Sequence, residues 1–164
     1  MKVNVKDTLS GNLVAAEIKA AGFGDMPLKK DGWQFNWRQL HKEQADGLFF
    51  KLSLTTTPEK VEGIIKLSLT DFGMLCLDCI EVSPNNFGSK GRYDWVAGCL
   101  LAFSYQLSQY NGKGAYKGFL SFDSKTVLIE LYIRKYGAKY AGGQKLFFDA
   151  AAGEKLISIY LLDT

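Results

Sequence analysis

Between Met74 and Gln109 the chain gathers residue types suited to holding an anion. Gly88, Lys90, Gly91 and Arg92 fall in a polar loop, PNNFGSKGRYD, between an apolar strand, MLCLDCIEVS, and an apolar helix, WVAGCLLAFSYQLSQ. A strand feeding a helix through such a loop aims several free backbone N–H groups, and the positive end of the helix dipole, at one point. Phosphate is the chemistry such a point accepts. An ordinary strand–loop–helix connection has the same outline, because glycine-bearing loops before helices are common.

The strand itself carries two acids, Asp78 and Glu81. Simple alternation puts Glu81 on the side of Leu75, Leu77 and Cys79, and Asp78 on the opposite one. A carboxylate on a largely buried strand needs a partner or shifts its pKa upward, which suits a base. A strand-end acid can equally meet solvent or pair with a lysine. Cys76 and Cys79 match C-x-x-C as a pattern only, since alternation points the two thiols to opposite faces. With one histidine in the chain, a zinc site is not expected. That residue, His41, sits in a polar, turn-like segment and reads as solvated. Nothing around it forms a nucleophile elbow, so hydrolase chemistry is set aside. Lys113, Lys117, Tyr110 and Tyr116 cluster around Gly112-Lys113-Gly114 and read as solvated surface.

Several elements must position these groups. Asn12 to Ala21 has helical spacing, with Ser10 as cap and Gly22 as stop. Trp33, Phe35 and Trp37 alternate with polar residues, the pattern of a strand with one aromatic face. Leu48–Thr55, Val61–Thr70 and Met74–Ser83 read as three strands in a short-linked antiparallel meander, turning at Asp46-Gly47 and Asp71-Phe72-Gly73. The third is apolar on both faces and belongs centrally under helices. A helix from about Tyr93 to Gln109 follows, then a strand at Gly118–Phe122. A second helix runs over Lys125–Tyr136, capped by Ser124 and stopped by Gly137. A strand at Lys145–Phe148 and a last helix, Ala150–Tyr160, capped by Asp149, complete the order.

The 164 residues suit one domain over 1–164, long enough to bury roughly 70% of the unfolded surface. Hydrophobic residues are 47% and charged ones 23%, the balance of a soluble globular protein. No apolar run nears the ~20 residues that span a bilayer. The N-terminus, MKVNVKD, has no signal-peptide core, so a cytoplasmic location is expected, and three cysteines fit free thiols. A net charge of +3 argues against a dedicated nucleic-acid binder but is compatible with a small anionic ligand.

The order of elements resembles the GNAT superfamily, whose members move acyl groups from acyl-coenzyme A to amines. Two motifs carry the likeness. Arg92-Tyr93-Asp94-Trp95-Val96-Ala97, followed by Gly98, matches the cofactor loop Gln/Arg-x-x-Gly-x-Gly/Ala at Arg92 and Ala97, with Trp95 where the first glycine is expected. Ser124 to Ala138 resembles Asn-x-x-Ala-x-x-Tyr-Glu-Lys-x-Gly-Phe: Tyr132 and Gly137 are present with one extra residue between them, and Lys125 or a neighbour replaces the asparagine. The likeness covers about Trp33 to the C-terminus.

The resemblance implies an α+β fold, a mixed, mostly antiparallel twisted sheet flanked by helices. It implies acetyl-coenzyme A as co-substrate, with its diphosphate on the N–H groups of Trp95, Val96, Ala97 and Gly98, helped by Arg92, and with Lys125 among the cofactor-binding residues. The pantetheine arm would lie by Val82, between splayed strands Met74–Ser83 and Gly118–Phe122. Tyr132 would be the acid for the departing thiolate and Glu81 the base, with Asp78 second. The partner implied is a small-molecule or peptide amine, with neither nucleic acid nor membrane, and a homodimer stays open. The acceptor pocket would draw on Trp33, Phe35, Trp37 and Gly142-Gly143-Gln144. The departures at Trp95 and Lys125 support a second reading, a non-catalytic binding module that has lost the cofactor.

Overall fold

In the computed structural model, which describes residues 1–161, the N-terminal part departs from the expected order. Val3 and Val5 alternate with Asn4 and Lys6 and are buried on one side of β1 (Lys2–Asp7), a strand the sequence reading passed over. The helix expected over Asn12–Ala21 is instead β2 (Leu13–Ala20). Ala16 and Ile18 are buried there, while Leu13, Ala15 and Lys19 are exposed. The apolar residues suit either period, and antiparallel pairing with β1 (Val3↔Ala16, Val5↔Val14) decides for the strand. The aromatic strand at Trp33–Trp37 is absent too. Trp37 opens α1 (Trp37–Glu43), where the Asn36 side chain accepts the Gln39 N–H at 3.2 Å. His41 lies on this helix with its ring 4.8 Å from Phe49, rather than in a solvated turn.

From here the expected elements are present, with two short strands, at Tyr93–Asp94 and Lys139–Gly142, added to them. The meander is β3 (Leu48–Leu54), β4 (Gly63–Leu69) and β5 (Leu75–Val82). β6 (Tyr93–Asp94) is a two-residue strand just before α2 (Val96–Asn111). Then come β7 (Leu120–Asp123), α3 (Ile129–Tyr136), β8 (Lys139–Gly142), β9 (Lys145–Phe148) and α4 (Ala150–Tyr160). Gly137 ends α3 in the left-handed region, and Asp149 caps α4 by accepting the Ala152 N–H at 2.9 Å. Ser124 is not a helix cap: its hydroxyl donates to the Lys125 carbonyl, and a 3-10 turn at Thr126–Leu128 leads into α3.

The nine strands form one mixed sheet in the order β6-β1-β2-β3-β4-β5-β7-β9-β8. Strands β5 and β7 pair in parallel and the others antiparallel. One face is covered by α2, α3 and α4 over a core that includes Leu52, Ile65, Leu75, Leu100, Leu120 and Phe148. The other is covered by α1 and its approach, with Met26, Trp33, Trp37, Phe49 and Ile64. Helices α2 and α4 touch through glycines. A Cβ on Gly98 would stand 2.3 Å from the Tyr160 ring, and one on Gly153 would stand 2.1 Å from the Tyr105 ring. Among the described residues no helix is long and apolar enough to cross a membrane.

Candidate functional site: a cleft where two strands part

β5 and β7 pair at Leu75↔Leu120, Cys76↔Ser121 and Leu77↔Phe122, and there the pairing stops. The cause lies on the other side of β5. Lys66 pairs with Cys79 and Leu67 with Leu77, so Asp78 is an extra residue with no partner on β4. Such a bulge bends its strand and sharpens the twist. Beyond it, β5 follows β4 and leaves β7, opening a cleft of about 690 Å³ between residues 77–82 and residues 122–125. The edge of β5 that faces β7 is unpaired there, as an arm carrying amides requires.

The bulge also resets which way side chains point. Leu75 and Leu77 face α2, and beyond the bulge Ile80 and Val82 pack on that same core. Glu81 therefore turns to the α1 side. Asp78 lies there as well, bonded to Lys66 at 2.6 Å and Ser68 at 3.0 Å. This corrects the expectation that Glu81 shares the side of Leu75 and Leu77 and that Asp78 opposes it. Cys76 and Cys79 likewise share a face, as free thiols. Unbroken alternation was the wrong rule for a strand with an inserted residue.

At one end of the cleft lies the loop from Ser83 to Trp95. The buried Asn86 holds it. Its Nδ2 donates to Glu62 Oε2 at 2.6 Å and to the Glu62 carbonyl at 3.2 Å, and its Oδ1 accepts the Tyr93 N–H at 3.0 Å. Thr8 Oγ1 donates to the Gly91 carbonyl at 2.8 Å. Trp95 follows as the N-cap of α2 with φ 76°, the one non-glycine residue with positive φ among those described. The family motif has glycine at this position. The left-handed conformation costs a tryptophan about 1–2 kcal/mol.

The Trp95 N–H donates to its neighbour Asp94 Oδ1 at 2.7 Å. Among the described residues nothing accepts the N–H groups of Val96, Ala97 or Gly98. Trp95, Val96 and Ala97 line the cleft, whereas Gly98 does not, being filled by the Tyr160 ring. The indole forms a wall of the cleft without plugging it, its ring 5.7 Å from Tyr160, edge on. Arg92 does not reach the cleft: its guanidinium is 2.6 Å from Asp7, so the cation expected at the phosphates is committed to β1. Lys135, on α3, lines that end instead, 3.8 Å from Asp94 Oδ1. The sequence reading passed over Lys135, although its helical spacing from Tyr132 puts both on one face.

Tyr132 stands in the wall where the strands part, its ring 5.0 Å from Phe122. Among the described residues its hydroxyl has no hydrogen-bond partner, and burial pushes the phenol above its usual range. Val82 lines the opposite wall. Glu81 also lines the cleft, and its carboxylate accepts three bonds: from the Gln34 N–H at 2.6 Å, the Phe35 N–H at 3.1 Å and Trp37 Nε1 at 2.9 Å. Lys125, expected among the cofactor-binding residues, reaches the same side, donating to Gln34 Oε1 at 3.2 Å with its ammonium 5.8 Å from the Phe35 ring. Of the residues expected at an acceptor pocket, Phe35 lines the cleft. Trp33 and Trp37 are buried in the core under α1, and Gly142, Gly143 and Gln144 lie elsewhere. The Lys113 cluster is also outside the cleft; Tyr116 there meets Phe72 and Phe119.

No family model matches the sequence, and no curated protein does either. Solved structures do resemble this chain. The AtaT–AtaR complex bound with acetyl-coenzyme A has a chain 15% identical, at a TM-score of 0.57, with 87% of this chain and 98% of that one covered. AtaT complexed with acetyl-methionyl-tRNAfMet is 13% identical at 0.61, covering 87% and 99%. The AtaT–AtaR complex bound to DNA is 14% identical at 0.60, covering 86% and 99%. These structures overturn the expectation that excluded nucleic acid. It rested on a net charge of +3, and a whole-chain sum hides how charge is distributed. Sheet order, the parting of β5 from β7 and these likenesses agree: the chain has the GNAT acyl-CoA N-acyltransferase fold.

Proposed function

We propose that this chain, acting as one unit over 1–164, is an acyl-coenzyme A-dependent N-acyltransferase that uses acetyl-coenzyme A. The observation that carries the reading is the coincidence, in one cleft, of an unpaired strand edge, open N–H donors and a half-buried tyrosine. The open edge of β5 beside Val82 would receive the amides of the pantetheine arm. The N–H groups of Val96 and Ala97, with Lys135, would hold the diphosphate. The co-substrate supplies an activated acetyl thioester.

Tyr132 would hold the proton that the departing thiolate needs. The phenol, kept protonated by burial, sits where the strands open. The amine nitrogen would attack the thioester carbon, the C–S bond would break, the phenol proton would pass to sulfur, and the proton shed by the nitrogen would return through solvent to the phenolate. We assign Glu81 to positioning. With three N–H donors on its carboxylate, it fixes residues 34–37 as the acceptor-side wall. The structure of AtaT with an acetylated methionyl-tRNA makes an aminoacyl-tRNA amine the first acceptor to try. Three free thiols fit a cytoplasmic setting.

Calorimetry with acetyl-coenzyme A, followed by an assay for released thiol with aminoacyl-tRNA and small amines, tests the proposal. Micromolar binding and amine-dependent thiol release are expected. No heat at millimolar co-substrate would leave the non-catalytic module, a reading the Asp94 carboxylate beside the Trp95 N–H also fits.

A further inference from the structure

Three features of the phosphate end stand apart from the diphosphate site itself. Trp95 is held at φ 76°, a conformation that glycine adopts without penalty. A strained residue persists where its surroundings hold it in place, and such residues gather at ligand sites. Of the three tryptophans, Trp33 and Trp37 are core residues at 7% and 0% exposure, while Trp95 is half-buried and lines the cleft. Finally, the indole is backed by rings on two helices. Tyr160 stands edge on at 5.7 Å, and Tyr136 lies 6.3 Å beyond it.

We propose that the indole of Trp95 is a stacking platform for the adenine of the co-substrate, making the nucleotide half of coenzyme A a determinant of binding. This rests on the transferase reading above. In coenzyme A one ribose separates the adenine from the diphosphate. A diphosphate on the N–H groups of Val96 and Ala97 therefore brings the base within reach of the side chain at 95. Aromatic faces bind bases this way whatever the base's hydrogen-bonding edge. The Tyr160 backing keeps the indole from turning away, so little ordering is needed on binding.

The test compares coenzyme A, 4′-phosphopantetheine (the same arm without the nucleotide) and adenosine 3′,5′-bisphosphate (the nucleotide half) by calorimetry. The proteins are the wild type, Trp95→Gly and Trp95→Phe. Wild type is expected to prefer coenzyme A over phosphopantetheine. Trp95→Gly is expected to lose about tenfold or more in affinity for coenzyme A and the bisphosphate, and none for phosphopantetheine. Its melting temperature should hold, since glycine accepts the backbone angle. Trp95→Phe should retain most of the affinity. Equal coenzyme A affinity in wild type and Trp95→Gly would overturn the proposal. So would a parallel loss of coenzyme A and phosphopantetheine, which would make the indole a structural prop. If wild type binds coenzyme A and phosphopantetheine equally, the platform falls and the transferase stands. If wild type binds neither, both fall.

Discussion

The two halves of β5 share one backbone and serve opposite ends. Up to Leu77 the strand is paired on both sides, with β4 and β7, and its apolar side chains are buried under α2. Beyond the unpaired Asp78 it is paired on one side only, its side chains are half-buried, and the carboxylates of Asp78 and Glu81 line an open cleft. One inserted residue separates a stretch that holds the fold from a stretch that offers its backbone to a ligand. Rigidity and availability are adjacent here, as a pre-organised site demands.

That contrast can be broken most sharply at Tyr132, which belongs to the open half. Tyr132→Phe is expected to lower kcat about 1000-fold while leaving acetyl-coenzyme A affinity unchanged, measured by single-turnover kinetics and calorimetry. Unchanged kcat would remove the phenol from the reaction. Burial raises this phenol's pKa, so its acid form outlasts the usual range. The wild-type rate should show no alkaline fall from this group below about pH 10.

In the closed half, Leu77→Ala should cost about 3 kcal/mol in urea unfolding, because Leu77 is buried at the last paired position. Val82→Ala, in the open half, should cost less than half of that. Equal costs would erase the distinction between the halves.

Glu81→Gln sharpens the acceptor-side wall. It keeps the shape but weakens three charge-assisted bonds, so stability should drop by about 1–2 kcal/mol and the acceptor KM should rise. Loss of kcat at unchanged stability and KM would instead make Glu81 the base.

The smallest effect is expected outside β5, at the cap of α4. Asp149→Ala should cost about 1 kcal/mol near neutral pH. Bonds from Lys139 and from the Ala152 N–H hold this carboxyl below its usual range. Its folded pKa is thus depressed: the stabilisation is complete above the unfolded value near 4 and is lost as pH falls through the folded value. The difference between variant and wild type should shrink in acid titrations followed by circular dichroism.

The meander, the helix after the glycine loop and the closing αβ elements were legible because their apolar spacing admits one period. Residues 13–20 admitted two, and the partner that settles the matter, β1, lies in a stretch read only for targeting. The lining of the cleft was legible where a motif fixed position along a helix, as at Tyr132, Val96 and Ala97. It was not legible where direction depended on pairing. The bulge at Asp78 is invisible in a run of apolar residues, so Glu81 was turned to the wrong face. Arg92 matched by type and spacing and Lys125 by position alone, and each long side chain found a nearer partner, Asp7 and Gln34. Lys135, which needed only helical spacing, was within reach of the sequence.

The rim of the cleft is tethered from below. Asn86, gripped by the carboxylate of Glu62, fixes the base of a loop whose outer residues, Phe87 to Ser89, line the cleft as a short overpass. Since the anchorage lies beneath and not within that overpass, the exposed side chains of Phe87 and Ser89 can be exchanged without loosening the α2 start, whereas Gly88, at φ 75°, cannot; selectivity at the entrance can drift while the machinery below stays in register.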